Sequence, residues 1–395
     1  AFTVQTARGV WLLIAGCLLA WPIAHFYEIP DLVWMIPIAA TTALTDGFTS
    51  TKVFRENRRL RLGRVTAIEV AAQVSTAVTM IVIALITRSI IALLVGSIAG
   101  SLVRVVLSHT MLPGFRDGFA WDPEARKALL TFGRWIFVST AITFISMQVD
   151  RLVLGKLVDI ELLGVYSIAV TLAAVPREVL GQLAQRVLYP VVAQVVRGKG
   201  AREKLRAIRR TTLAILIVPS GFLAGEGVAV FNVLYDDRYA AGGPMMMILC
   251  IGTWLTLVQM TYGVVVLAMA RPKWISFGTA LKSVVFLALS WPVFHSFGVL
   301  GVTVLIAVSE IAVYLMVGLG VRKEKVTSWL FDAVATVGVL VVGAVTYWAQ
   351  TFITRQTGTD WVGLIALGLL VLGVTGFAAH RAGFLRRGQR EPAAA

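Results

Sequence analysis

Twelve stretches of mostly apolar residues, each long enough to cross a lipid bilayer, constrain this chain more than any other feature. They run at about 10–27, 32–49, 65–87, 89–107, 129–149, 162–180, 211–233, 244–269, 275–296, 298–318, 328–349 and 361–380, the second and sixth being the weakest. A hydrocarbon core about 30 Å thick needs roughly 20 apolar residues per helix, and only helices or closed barrels satisfy the backbone there. With 58% of its 395 residues hydrophobic and 14% charged, the chain is expected to be an all-α, polytopic membrane helix bundle of about 12 transmembrane helices.

The basic residues test that threading. If the count of spans is right, Lys and Arg should collect in every second connection, on the cytoplasmic side. Of the 36, 27 fall in the segments 1–9, 50–64, 108–128, 181–210, 270–274, 319–327 and 381–395. The alternate connections hold five: Arg88, Arg151, Lys156, Arg238 and Arg355. Both ends of the chain are therefore expected in the cytoplasm. Trp11, Trp274, Trp291, Trp329, Trp348 and Trp361 fall near span ends, where an aromatic belt belongs. The net charge of +15 is then a matter of membrane orientation, and no nucleic-acid partner is expected. Residues 186–210, with eight basic side chains, are expected to lie along the anionic cytoplasmic surface.

Two cytoplasmic stretches divide the chain. The expected organisation is an N-terminal lobe of four helices over 1–107, a linker over 108–128, and a C-terminal lobe of six helices over 129–318. A terminal helix pair over 319–380 and a basic tail over 381–395 follow. The segments 65–107 and 275–318 echo one another: each is a hairpin of long helices with a very short outer turn and one charge in its second arm, Arg104 and Glu310 respectively. Cys17 and Cys250 lie far apart inside apolar runs and suggest neither a disulfide nor a metal site. No HxxxH, CxxC, HExxH, phosphate-loop or nucleophile-elbow pattern occurs, so neither enzyme chemistry, nor a metal, nor a cofactor is expected.

The segment Val149–Leu157, with Asp150, Arg151, Leu154 and Gly155, followed by Leu163, Gly164, Tyr166 and Ala169, resembles a signature of polysaccharide transport proteins. A further run bounded by Pro176 and Pro190 is similar to the one that closes the family's eighth helix. On these residues the chain resembles the bacterial oligosaccharide flippases of the multidrug/oligosaccharidyl-lipid/polysaccharide exporter superfamily. The resemblance implies two six-helix lobes plus a terminal pair, fourteen helices in all. It would place two further helices ahead of Ala1, making the first lobe truncated here. It also implies an inner-membrane location and alternating access without covalent chemistry. The implied cargo is a polyprenyl-diphosphate-linked oligosaccharide for lipopolysaccharide or exopolysaccharide biosynthesis. Beyond the lipid bilayer and this cargo, the polysaccharide polymerase and chain-length machinery are the implied partners. Two alternatives stand beside this reading: a multidrug/cation antiporter of the same superfamily, and a membrane polysaccharide polymerase or ligase.

Charges inside spans cost roughly 2.5–3.5 kcal/mol each on insertion scales, so they face a cavity or a partner. A cationic cavity suits a diphosphate, because guanidinium groups bind phosphate oxygens bidentately. The candidates are Arg134, Lys282, Arg104 and Arg177, with Lys282 and Arg134 leading; Arg104, Arg134 and Arg177 lie close enough to the interface to snorkel instead. Coupling or ion-pair candidates are Asp150, Glu69, Glu310, Arg151 and Glu178. Neighbouring side chains diverge on a helix, so Asp150–Arg151 and Arg177–Glu178 are expected to pair across to other helices. Pro219, Gly221 and Pro176 interrupt their spans and are candidate bending points.

Overall fold

In a computed structural model, described over residues 2–58, 62–114, 117–119, 144, 146, 148–183, 192, 201–269, 271–322 and 326–381, the chain is helical without strands. It divides into two compact units, Ala1–Thr140 and Ala141–Ala395, a division that falls inside the segment read above as the fifth span.

The first unit holds α1 (Phe2–Tyr27), α2 (Leu32–Gly47), the short α3 (Lys52–Arg58), α4 (Leu62–Thr87) and α5 (Ile91–Thr110). Two hairpins, α1–α2 and α4–α5, account for most of its packing, with α2 against α5. Small residues set the approach. A Cβ at Gly9 would lie 2.8 Å from the Ala43 carbonyl oxygen, and one at Gly100 3.0 Å from that of Ala72. Gln5 donates to the carbonyls of Asp46 and Thr49 at the end of α2, and the Thr45 and Ser101 hydroxyls meet at 2.6 Å.

At one end of this unit the connections tie each other down. Lys52 is buried, and its ammonium donates to the His109 and Leu112 carbonyls, 3.1 Å each, where the α5 helix dipole is negative. Asp117 accepts from the Ser50 and Thr51 hydroxyls and from the Thr51 amide at the start of α3. Burial pushes the Asp117 carboxyl up, but the bonds from Ser50 and Thr51 and the nearby His109 outweigh it, holding the group below the usual carboxylate range. Its contribution to stability is therefore present above that range and lost as pH falls through the lowered value.

The second unit begins with α6, described over residues 148–157, then α7 (Ile160–Ala173) and α8 (Val175–Leu183). The sixth span thus breaks at Ala174, just ahead of Pro176, whose missing N–H suits the first turn of a new helix. Next come α9 (Ala201–Gly225), α10 (Gly227–Leu234), α11 (Gly242–Ala268) and α12 (Lys273–Gly320). Last are α13 (Trp329–Thr357) and α14 (Asp360–Arg381). α12 is two arms folded back at Gly298, whose φ of 63° and ψ of −156° are open to glycine and strained for other residues. The arms lie antiparallel: Gly278 meets Val313, and Gly320 meets Trp274. α11 carries the core, with Trp254, Leu257, Val258 and Tyr262 almost wholly buried.

The terminal pair, α13–α14, belongs to this unit, and α13 packs along α9. Their seam is built from glycines. A Cβ at Gly221 would lie 2.6 Å from Val342 Cβ and 2.9 Å from the Val339 carbonyl, and one at Gly225 would collide with that of Gly343. α9 runs unbroken through Pro219, so Gly221, a bending candidate in the sequence, serves here as a point of close helix contact. Residues 201–210, the described part of the basic stretch, form the first turns of α9, and Arg209 among them is buried.

Among the described residues, eight helices are long and apolar enough to span a membrane, α12 counted once, and two shorter apolar helices are Leu32–Gly47 and Ile160–Ala173, the two weakest spans of the sequence. Large apolar side chains such as Leu18, Trp21, Leu85, Leu330 and Trp348 stand well exposed on helix faces, the inside-out distribution of a lipid-facing surface. The protein is a multi-pass membrane helix bundle.

Replacing Gly221 with Ala should lower stability by about 1–3 kcal/mol through overpacking against α13. At Arg88, which ends α4 with a left-handed φ of 47°, Gly should raise it by about 0.5–1 kcal/mol. Unfolding of the detergent-solubilised protein measures both, and opposite signs to these would contradict the packing and the strain described.

Candidate functional site

The second unit encloses a cavity of about 890 Å³ between α6, α7, α8, α11 and both arms of α12. Six of the nine charged candidates line it: Asp150, Arg151, Arg177, Glu178, Lys282 and Glu310. Residues far apart in sequence converge because α7 and α8 pack on α11, and α11 packs on the α12 hairpin. Arg104 and Glu69 belong to the first unit and pair with each other at 3.1 Å, with Asp46 3.5 Å from the same guanidinium. Arg134 lies outside the described residues, as do Pro190 and the tail beyond Arg381.

Inside the cavity the charges are mostly answered. Lys282 Nζ donates to Glu310 Oε1 across the two arms of α12, and Gln259 Nε2 donates to Glu310 Oε2 at 2.7 Å. Gln259 Oε1 is then left buried without a partner. The Tyr166 hydroxyl donates to Asp150 Oδ2 at 2.6 Å, so Asp150 does pair across to another helix, as expected. Arg177 does not. It bonds its own neighbour Glu178 at 3.2 Å, against expectation, because both side chains are partly exposed and can bend toward each other off the helix. Arg151 stands apart: among the described residues no carboxylate lies within ion-pair distance of it. The described lining therefore carries three cations and three anions, and one of each, Arg151 and Asp150, has no charged partner.

A second polar cluster escapes the sequence reading. Arg209 Nη2 lies 2.6 Å from Asp332 Oδ1, off the angle of a hydrogen bond, while the Tyr262 and Tyr314 hydroxyls both donate to Asp332 Oδ2 at 2.8 Å. Arg209 also donates to Thr261 and Ser328 and stacks on the Tyr262 ring, 3.7 Å from its centroid. Four helices meet at this pair, which fastens α13 to α9, α11 and α12. Asp46, Glu226 and Asp332 are acids inside the apolar runs that the sequence inventory of Glu69, Asp150, Glu178 and Glu310 passed over. Each was visible as a single acid within a hydrophobic stretch. On the exposed loop after α10, Asp236 is held below the usual range by its hydrogen bond from Arg238.

Fold and cavity together define an all-α, multi-pass membrane protein with a charged internal chamber. The chain belongs to the polysaccharide biosynthesis protein family, whose profile matches residues 1–235. Among its relatives, the teichuronic acid biosynthesis protein TuaB of Bacillus subtilis (strain 168) is 20% identical over 68% of this chain and 56% of its own length. The amylovoran biosynthesis protein AmsL of Erwinia amylovora is 23% identical over 62% of this chain and 64% of its own. The lipopolysaccharide biosynthesis protein WzxC of Escherichia coli (strain K12) is 26% identical over 40% of this chain and 32% of its own. The chain thus spans at most about two thirds of these relatives. In fold it is similar to the lipid II flippase MurJ in its inward closed conformation, with a TM-score of 0.71 at 14% identity, covering 96% of this chain and 84% of that one.

Changing Asp332 to Asn should cost about 3–5 kcal/mol, because Arg209 is left buried without a counter-charge. Adding Arg209→Met should recover most of that loss. Unfolding measurements on the single and double variants decide it, and additive losses would rule out the pairing.

Proposed function

We propose that this protein is a flippase that moves polyprenyl-diphosphate-linked oligosaccharide units across the bacterial inner membrane by alternating access, for surface polysaccharide biosynthesis. The observation that carries this reading is the charged cavity inside the second unit of a chain from a polysaccharide biosynthesis family. A sugar headgroup with its diphosphate cannot cross hydrocarbon unaided, whereas a polyprenyl tail can stay in lipid. A chamber lined by hydroxyls, amides and charges replaces the water that such a headgroup gives up. Segregation of the basic segments supports an orientation with both ends in the cytoplasm and transfer from the cytoplasmic to the outer side, where a polymerase and its chain-length machinery would receive the unit.

Membership of a polysaccharide biosynthesis family, rather than the balance of cavity charges, favours an anionic cargo over a cationic drug. Glu178 and Glu310 each hold a cation already, while Asp150, held by the neutral Tyr166 hydroxyl, keeps an uncompensated charge. Arg151 is the unmatched cation, and on this reading its guanidinium is the group to receive a diphosphate. Lys282, the leading candidate in the sequence, acts on this reading through Glu310, keeping the hairpin's internal charge neutral.

Arg151→Ala should reduce surface polysaccharide by about 10-fold or more, the loss of one charge-assisted bond, at unchanged protein abundance. Lys282→Ala should fail by exposing Glu310, and Lys282→Ala with Glu310→Ala should recover part of the export. Both are read by complementing a strain lacking the native gene. Normal polysaccharide with Arg151→Ala at native expression would remove the basis for the assignment of cargo.

A further inference from the structure

Glu226 sits between α9 and α10 and is fully buried, with 0% of its surface exposed. Neither carboxylate oxygen has a hydrogen-bond partner among the described residues. It occupies the N-cap position of α10, yet its side chain makes no capping bond. It is also not a lining residue of the large cavity, so the cargo pathway does not account for it.

Among the described residues no basic side chain lies within ion-pair distance of it. Gly225, on one side, presses against Thr346 and Gly343 of α13; Gly227, on the other, against Gly243 and Met247 of α11. The ionisable group that faces it is another acid, Asp360 at the start of α14. Asp360 already accepts from Asn232 of α10 at 2.9 Å and from Thr354 of α13 at 2.7 Å. Gln350 of α13 donates to the Asp360 carbonyl at 2.8 Å, and its own Oε1 is buried without a partner. The corner is thus rich in acceptors, holds two facing carboxyls and, among the described residues, offers Glu226 no donor.

We propose that Glu226 is a proton-binding site that locks α10 onto α11, α13 and α14. An ionised carboxylate in this place would lack water, hydrogen bonds and a counter-charge while facing Asp360, a combination that costs several kcal/mol. One bound proton removes all of that cost. A metal cation is the poorer occupant, because the glycines bring the backbones of α9, α11 and α13 into contact here and leave no room for an oxygen cage around an ion. Losing the proton sets two like charges against each other beneath an eight-residue helix, and releasing α10 to water is the relief. The site lies at the end of α9 opposite its basic first turns, some 35 Å away along the helix, so it senses the other side of the membrane. It stands on this corner alone and does not depend on the cargo proposed above.

Hydrogen–deuterium exchange of the full chain in lipid nanodiscs, corrected for intrinsic rates, tests it across a range of pH. In the wild type, protection of residues 227–234 should fall with rising pH, up to about 10-fold per pH unit for one released proton. Glu226→Gln, which mimics the protonated carboxyl, should stay protected throughout. The wild-type infrared spectrum at low pH should show a protonated-carboxyl band that moves in Glu226→Asp. A pH-independent wild-type profile, a Glu226→Gln variant that follows the wild type, or no such band would overturn the proposal. So would protection that rises with sodium at fixed pH, which would assign the corner to a metal cation.

Discussion

In a chain this apolar, the decisive constraint is that any charge within a membrane helix must find an opposite charge, a polar chamber or a proton. Lipid offers no water to an orphaned ion, so the few internal charges dictate which helices must touch. Arg209 and Asp332 draw four helices together at one end of the second unit, with two tyrosines completing the shell around the carboxylate. Lys282 and Glu310 close the α12 hairpin on itself, and Gln259 extends that contact to α11. Apolar packing fills the space between, but it is interchangeable in a way these pairs are not. Leucine tolerates a shift of register, whereas a buried arginine one turn out of place has no partner.

The same logic recurs in the two hairpins whose sequences echo one another. In α4–α5 the acid, Glu69, is on the first arm and the base, Arg104, on the second; in α12 the base comes first, as Lys282, and the acid second, as Glu310. The signs are exchanged but the device is shared: one ion pair bridging antiparallel arms well away from their turn. Their settings differ. Lys282 and Glu310 line a chamber, and Glu310 is also held by Gln259, while Glu69 and Arg104 share their site with Asp46 of α2. A pair that lines a chamber can exchange partners with a visitor; one that bridges three helices is chiefly a clasp.

Periodicity and charge segregation make the helical architecture, the hairpins and the two short spans legible in the sequence, because hydrophobic length and loop charge are local properties. Partnerships were harder to see. The expectation that Asp150 reaches across to another helix held, since Tyr166 receives it, but the same rule failed at Arg177, where partial exposure lets neighbours pair. Nothing local distinguishes those two cases; burial does, and burial is a property of the folded chain. Gly221 illustrates the same limit. A glycine two residues after a proline reads as a bend, and only the presence of Val339 and Val342 opposite reveals a contact surface. Asp332 and Glu226 were overlooked for a simpler reason: each is a single acid near a span edge, where a charge ordinarily reaches the interface and needs no partner.

A chamber that must both accept and release a charged cargo gains from being nearly neutral. Had all three cavity cations been free, a diphosphate would be bound by a cluster of charges in a low dielectric, and each added pair would slow its departure. With Arg177 and Lys282 already satisfied by Glu178 and Glu310, the unpaired Arg151 would, on the proposed reading, select for negative charge, while lining hydroxyls and amides such as Thr253, Thr256 and Gln259 would meet the sugars. Their hydrogen bonds replace those made with water at little net gain, so they tolerate varied sugars without holding them. On the proposed reading, affinity then rests on one guanidinium whose bond must form on one side of the membrane and break on the other, and the neutrality of its neighbours keeps that bond reversible.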